Sequence, residues 1–177
     1  MICPSCGYEN IDGADTCDNC TQDLTEFDLP EGRNEIETSI MTESLAALMP
    51  KPPMILSPDT RVAEVIAKLC ENNIGCVLIG TPNELQGIFS ERDVLLRVAH
   101  QYDTAASRPV SEFMTSEPET LEVTAPIAFA LNRMAVGDYR HIPVTKKGRL
   151  VGIVSIRDVL AFLSARYPDL IPAAPEI

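Results

Sequence analysis

Two sets of residues in this 177-residue chain have the types and spacing to do chemistry. The first is Cys3-Pro4-Ser5-Cys6-Gly7 with Cys17-Asp18-Asn19-Cys20. Each Cys-x-x-Cys turn can place two thiolates on one ion, so Cys3, Cys6, Cys17 and Cys20 form a closed tetrahedral ligand set that suits a structural zinc. Iron fits the same four sulfurs. Gly7 follows a ligand where the chain turns tightly and a positive φ is useful. The intervening Gly7 to Thr16 is polar, with too little apolar surface to fold unaided, so the metal would be its core. Disulfides do not suit a chain whose opening Met1-Ile2-Cys3-Pro4 lacks a secretory pattern, and a redox pair would need one motif in a βαβ context.

The second set is a repeated phrase. Gly87-Ile88-Phe89-Ser90-Glu91-Arg92-Asp93-Val94-Leu95 returns, 65 residues on, as Gly152-Ile153-Val154-Ser155-Ile156-Arg157-Asp158-Val159-Leu160. A strand ending in Gly-apolar-apolar-Ser and running into a helix offers unpaired N–H groups and a positive dipole end to an anion. The Ser90 and Ser155 hydroxyls can donate to phosphate or ribose, and Asp93 and Asp158 can accept from a vicinal diol. Ser-x-x-Asp is also a capping-box variant that needs no ligand. Glu or Gln is the usual partner in such a box, whereas a short Asp can be aimed outward. The preceding glycine lets another group approach the backbone closely. Arg92 and Arg157 can reach phosphate or pair with a neighbouring acid.

Stepping outward along the chain, the 65-residue offset also pairs Met49 with Met114, Pro53 with Pro118, Leu56 with Leu121, Ala63 with Ala128 and Leu85 with Leu150. An ungapped repeat predicts two copies of one unit, each needing the other to bury its apolar face, with ligand clefts between them. Each copy reads β-α-β-β-α. Short extended pieces at 54–56 and 119–121 precede helices that Asp59 or Thr60, and Thr124 with Pro126, can open. Strands follow at 75–79 and 85–89, then 141–144 and 149–154, joined by turns at 80–84 and 145–149. A last helix starts at Ser90 or Ser155. Ahead of the repeats, Ile36 to Met49 has helical spacing, and Val110 and Phe113 occupy the equivalent lead-in of the second copy. The predicted divisions are a metal-bound ribbon at 1–22, an acidic linker and lead-in helix at 23–48, the copies at 49–105 and 106–165, and a tail at 166–177. Cys70 and Cys76 lie in apolar sequence and read as buried, inert thiols.

Charge and composition narrow the function. The net charge is −12, yet residues 1–48 hold eleven acids against Arg33 alone, a net of −10, leaving −2 for the rest. Such a front end repels phosphate backbones, so no nucleic-acid partner is expected. No apolar run approaches the length of a membrane span, and the expected location is cytoplasmic. His100 and His141 belong to no catalytic constellation, and no Walker-type loop is present, so the chain reads as a non-enzyme.

Residues 3–20 resemble the short zinc ribbons of many microbial proteins. Residues 49–163 resemble a pair of cystathionine β-synthase-type (CBS) domains, regulatory modules that commonly bind adenine nucleotides or S-adenosyl compounds. The resemblance rests on both Gly-apolar-apolar-Ser-x-Arg-Asp stretches, on Phe113-Met114-Thr115 and on Arg140-His141-Ile142-Pro143-Val144. It implies an α/β (α+β) fold of tandem repeats, ribose and phosphate contacts from Ser90, Asp93, Ser155 and Asp158, a purine wall before Pro143, and phosphate contacts from Arg140 or His141. It also implies a homodimer in which two chains form a flat disk. The first copy departs from the pattern: Gly75-Cys76-Val77-Leu78 stands where the second has Arg140-His141-Ile142-Pro143, and Lys146, Lys147 and Arg149 have Thr81, Pro82 and Glu84 opposite them. The two sites are therefore not expected to be equivalent. The expected function is a nucleotide sensor that signals to a protein partner, with a structural interaction module carrying vestigial sites as the alternative.

Overall fold

The computed structural model describes residues 1–11, 14–24 and 34–169. Most of the expected linker (25–33) and the end of the tail (170–177) lie outside the described residues. The fold is mixed α and β. In chain order it runs α1 (Glu35–Thr42), β1 (Ile55–Leu56), α2 (Val62–Glu71), β2 (Cys76–Thr81), β3 (Glu84–Ser90) and α3 (Glu91–Asp93). It continues with α4 (Tyr102–Ala105), β4 (Thr115–Ser116), β5 (Leu121–Glu122), α5 (Ile127–Gly137), β6 (His141–Lys146), β7 (Arg149–Ser155) and α6 (Ile156–Arg166). Two sheets result, ordered β1-β2-β3-β4 and β5-β6-β7. Each short first strand pairs in parallel with its copy's next strand, Ile55 with Leu78 and Leu121 with Val144. The β-α-β-β-α order is thus present twice.

The chain divides into two compact units. One holds Met1–Met49, Val123–His141 and Val154–Ile177; the other holds Pro50–Glu122 and Ile142–Ile153. Each unit contains the same crossed pairing. In the first, Ile127 N–H donates to Glu43 O at 2.9 Å, Leu45 N–H to Ala125 O at 2.9 Å and Ala46 N–H to Val123 O at 3.0 Å. In the second, Val62 N–H donates to Arg108 O at 3.0 Å, Val110 N–H to Thr60 O at 2.8 Å and Ser111 N–H to Pro58 O at 3.1 Å. Every bond in one set is the other displaced by 65 residues. The lead-in of each copy therefore caps the helix of the other copy.

This arrangement corrects the expected caps. Neither α2 nor α5 has a side-chain cap: their N-caps are Arg61 and Pro126, and backbone carbonyls from the lead-ins satisfy the first amides instead. The lead-in helix is also interrupted. α1 ends at Thr42, and Leu45–Leu48 forms a separate 3-10 turn that ends at Met49 in the left-handed region (φ 49). Leu45 and Leu48 are buried while Met49 is 81% exposed, so Met49 is not on the buried stripe.

Within the second unit the core gathers Val62, Val65 and Leu69 from α2, Val77 and Ile79 from β2, and Phe89 from β3, with Val98, Ala105, Val110 and Phe113 beyond. It is aliphatic apart from two phenylalanines. The repeated glycines serve this packing. A Cβ at Gly87 would run into the Met114 side chain, and one at Gly152 would run into Pro50. What approaches these backbones is the chain's own lead-in residues.

Candidate functional site

The cysteine motifs build a second, smaller repeat. Cys3 N–H donates to Tyr8 O and Gly7 N–H to Cys3 O; fourteen residues on, Cys17 N–H donates to Gln22 O and Thr21 N–H to Cys17 O, all at 2.8 Å. Ile2 bridges Glu9, and Thr16 bridges Asp23. Each loop closes with a left-handed residue, Gly7 (φ 73) and Thr21 (φ 58). Thr21 is β-branched and disfavours that region, and its position is held by the hydrogen bond from its N–H to Cys17 O.

The two loops bring all four sulfurs within 4.8 Å of one another. Cys3 Sγ lies 3.6 Å from Cys20 Sγ, and Cys6 Sγ 3.5 Å from Cys17 Sγ. Sulfurs about 2.3 Å from one tetrahedral ion would stand about 3.8 Å apart, so the donor set fits a four-coordinate metal. Burial pushes the Cys3 thiol up to about 12. Burial also raises Cys17, but the amides of Cys20 and Asn19, the Cys6 thiol and Asn10 outweigh it and bring that thiol to about 6. Cys6 is lowered by the Tyr8 amide and the Asn19 side chain.

Asn10 has no sequence signal for a role at the sulfurs. It is buried, its Nδ2 stands 3.6 Å from Cys17 Sγ and donates to Tyr8 O at 3.0 Å, and its Oδ1 accepts from Asp18 N–H at 2.9 Å. Asn10 thus ties one loop to a sulfur of the other. Leu24, fully buried against Cys3 and Cys17, supplies the apolar remainder.

The repeated Ser-x-Arg-Asp elements sit where the sequence places them, at helix starts, but the carboxylates turn inward. Asp93 Oδ2 accepts from Ser90 N–H at 2.8 Å and from Ser90 Oγ–H at 2.7 Å. Asp158 Oδ2 does the same with Ser155, at 2.7 and 2.6 Å. Both are capping boxes with Asp in the usual Glu position. The capping box that the sequence leaves open is thus formed in both copies: in extended N-cap geometry, Asp is long enough to reach back.

Each helix start is also tied to the loop before its copy's first long strand. Glu91 N–H donates to Gly75 O at 3.0 Å, and Ile156 N–H to Arg140 O at 3.2 Å. That loop turns through a left-handed residue at the same repeat position, Asn73 (φ 49) and Asp138 (φ 53). In the first unit the loop brings Arg140 and His141 beside the Ser155–Asp158 turn; Arg140 and Arg157 are exposed, and His141 and Asp158 half-buried. In the second unit Ser90 and Asp93 face Gly75 and Cys76, which offer no cation. Cys76 is buried and its thiol is pushed up to about 12 by that burial, aided by Glu91 and Asp93. Cys70 is exposed on α2, contrary to expectation, because it falls on that helix's outer face.

Glu122 likewise has no local sequence signal for its role. Its carboxylate accepts from Thr145 Oγ1–H, Lys147 N–H and Gly148 N–H, each at 3.0 Å, and so holds the turn carrying Lys146, Lys147 and Arg149. The Gly148 and Lys147 amides hold its pKa below the ordinary value.

Residues 45–100 and 110–165 each match the CBS domain. The chain belongs to the CBS-domain family. Among curated proteins it is 34% identical over 116 residues to the CBS domain-containing protein CBSCBSPB1 of Arabidopsis thaliana, covering 64% of this chain and 21% of that one. Among solved structures it resembles the CBS domain protein PAE2072 from Pyrobaculum aerophilum complexed with AMP, at 32% identity and a TM-score of 0.62, covering 74% of this chain and all of that one. It also shares the fold of the CBS domain pair of protein MJ0100 in complex with 5′-methylthioadenosine and S-adenosyl-L-methionine, at 21% identity and a TM-score of 0.62, over 71% of this chain and 98% of that one. The two CBS matches coincide with the 65-residue repeat. Among the described residues, no helix is long and apolar enough to cross a membrane.

Proposed function

We propose that this CBS-domain protein is a non-enzymatic sensor of adenosine-containing ligands (AMP, ADP, ATP or S-adenosyl compounds) that reports to a protein partner. The carrying observation is the duplicated helix start, Ser90 to Asp93 and Ser155 to Asp158, bonded to the loop that carries Arg140 and His141 in the second copy. A relative of 32% identity was crystallised with AMP. On this reading Ser155 and Ser90 face phosphate, Asp158 and Asp93 meet ribose, and Arg140, His141 and Arg157 supply positive charge.

Cys3, Cys6, Cys17 and Cys20 hold a structural zinc, which when bound supplies the ribbon with a core that its polar sequence lacks. The acidic front end favours a protein partner over nucleic acid. Cytoplasmic location and self-association belong to the same proposal: Leu95 and Leu160, at one repeat position, are 71% and 53% exposed and suit a second copy of the chain.

The capping boxes favour a second reading, a structural interaction module whose Ser-x-x-Asp elements are caps alone. Thermal melts with millimolar AMP, ADP, ATP or S-adenosylmethionine separate the two. A ligand at about 100 times its dissociation constant adds roughly 2.7 kcal/mol, a melting shift of several degrees. An unmoved melt with all four supports the structural module.

A further inference from the structure

The first copy carries a cation that the second does not. Arg97 Nη1 donates to Phe113 O at 2.9 Å and to Met114 O at 2.7 Å, and lies 3.4 Å from Asp93 Oδ1. One guanidinium nitrogen therefore joins the helix-start carboxylate to the lead-in residues Phe113 and Met114, the latter packed on Gly87. With Oδ2 committed to Ser90, both oxygens of the buried Asp93 are engaged.

The backbone is adapted to this contact. After α3 the helix widens into a π turn over Val94–Val98, the segment that carries Arg97. Such turns are rare and cluster at functional positions. The second copy stays α-helical from Ile156 to Arg166 and has Phe162 at the position of Arg97, an apolar ring with no charge to offer. Beside the helix start, the first copy has Gly75 and Cys76 where the second has Arg140 and His141.

We infer that the two CBS copies respond unequally to a nucleotide: Arg97 locks the first copy's Ser90–Asp93 element into the fold, and the Ser155–Asp158 element is the responsive one. This rests on the nucleotide reading above. A phosphate entering the first copy would meet no cation at positions 75 and 76. A ribose there would have to displace Arg97 from Asp93 and loosen its hold on the lead-in. Arg97 is a positioning residue in this scheme, since it acts through Asp93.

The test is isothermal titration of the full chain with AMP. Asp93→Asn and Asp158→Asn keep an acceptor for the serine and so preserve the cap. Asp158→Asn is expected to weaken AMP binding about tenfold or more, the value of one hydrogen bond to a charged group. Asp93→Asn is expected to weaken it far less than Asp158→Asn does, because Arg97 already occupies Asp93. Arg97→Gln should add a second, weaker binding event that Arg97→Lys, retaining the cation, does not. If Asp93→Asn costs as much affinity as Asp158→Asn, or if the wild-type chain already binds two equivalent AMP molecules, the inference is overturned while the nucleotide reading stands. If AMP, ATP and S-adenosylmethionine bind neither the wild-type chain nor any variant, the nucleotide reading itself falls. The Asp93→Asn and Asp158→Asn comparison decides the matter even if Arg97→Gln fails to fold.

Discussion

The Ile127 amide donates to the Glu43 carbonyl at 2.9 Å, and the Val62 amide donates to Arg108 at 3.0 Å in the same way. These bonds open α5 and α2 from the lead-in of the opposite copy, and neither of these two helices has a side-chain cap of its own. The lead-in is anchored by Leu45 and, at the equivalent position, Val110, both fully buried. Leu45→Ala should lower stability by about 2–5 kcal/mol. Urea unfolding should show a loss of this size for Leu45→Ala and little change for Met49→Ala, whose side chain is exposed.

The ribbon should depend on its metal and on Asn10. Chelation is expected to collapse the amide dispersion of residues 1–24 in NMR spectra and to leave the signals of the CBS copies in place, because among the described residues Leu24 is the one fully buried apolar side chain that joins the cysteines in the ribbon's core. Asn10→Ala removes a partner of the Cys17 sulfur and should weaken zinc affinity about 10–100-fold, as outer-shell partners do elsewhere. Competition with a colorimetric chelator reads the difference. Protein purified under reducing conditions with no metal by elemental analysis would refute the ribbon as a zinc site.

Asp93 and Asp158 cap their own helices, so removing either should cost stability with no ligand present. Asp93→Ala and Asp158→Ala are each expected to lose about 1 kcal/mol in the ligand-free chain, the usual value of a cap. Asparagine at these positions keeps an acceptor for the serine and should retain most of that. Melting curves of the four variants distinguish the cap from the ligand role.

Glu122 predicts an acid-dependent contribution. The amides of Gly148 and Lys147 and the Thr145 hydroxyl favour its charged form and lower its pKa from 4.5. A carboxylate depressed in the folded state binds fewer protons there than when unfolded. Its stabilisation is therefore complete above the unfolded value and fades as pH falls through the folded one. Glu122→Gln should be less stable than wild type at pH 7, and the gap should close progressively as pH falls below the ordinary glutamate value of about 4.3. A gap of constant size across that range would show that charge is not what holds the turn.

Much of this fold was legible in the residue order. An ungapped 65-residue recurrence means one supersecondary unit built twice, and short β-rich runs with the Gly-apolar-apolar-Ser phrase place the strands and the helix starts. Two Cys-x-x-Cys motifs likewise specify one four-sulfur cluster, because each turn fixes its own pair of ligands locally. What the tertiary structure decided are contacts between residues far apart in the chain. The crossed lead-ins carry no local signal, since a backbone carbonyl such as that of Glu43 or Arg108 can cap a helix whatever its side chain. Asn10 and Glu122 become informative only when folding brings them to Cys17 and to the Lys147–Gly148 turn. The Ser-x-Arg-Asp wording is the same in both copies. Only three-dimensional packing separates them, because Arg97 reaches Asp93 and the Phe113 and Met114 carbonyls at once, and an apolar ring at Phe162 cannot.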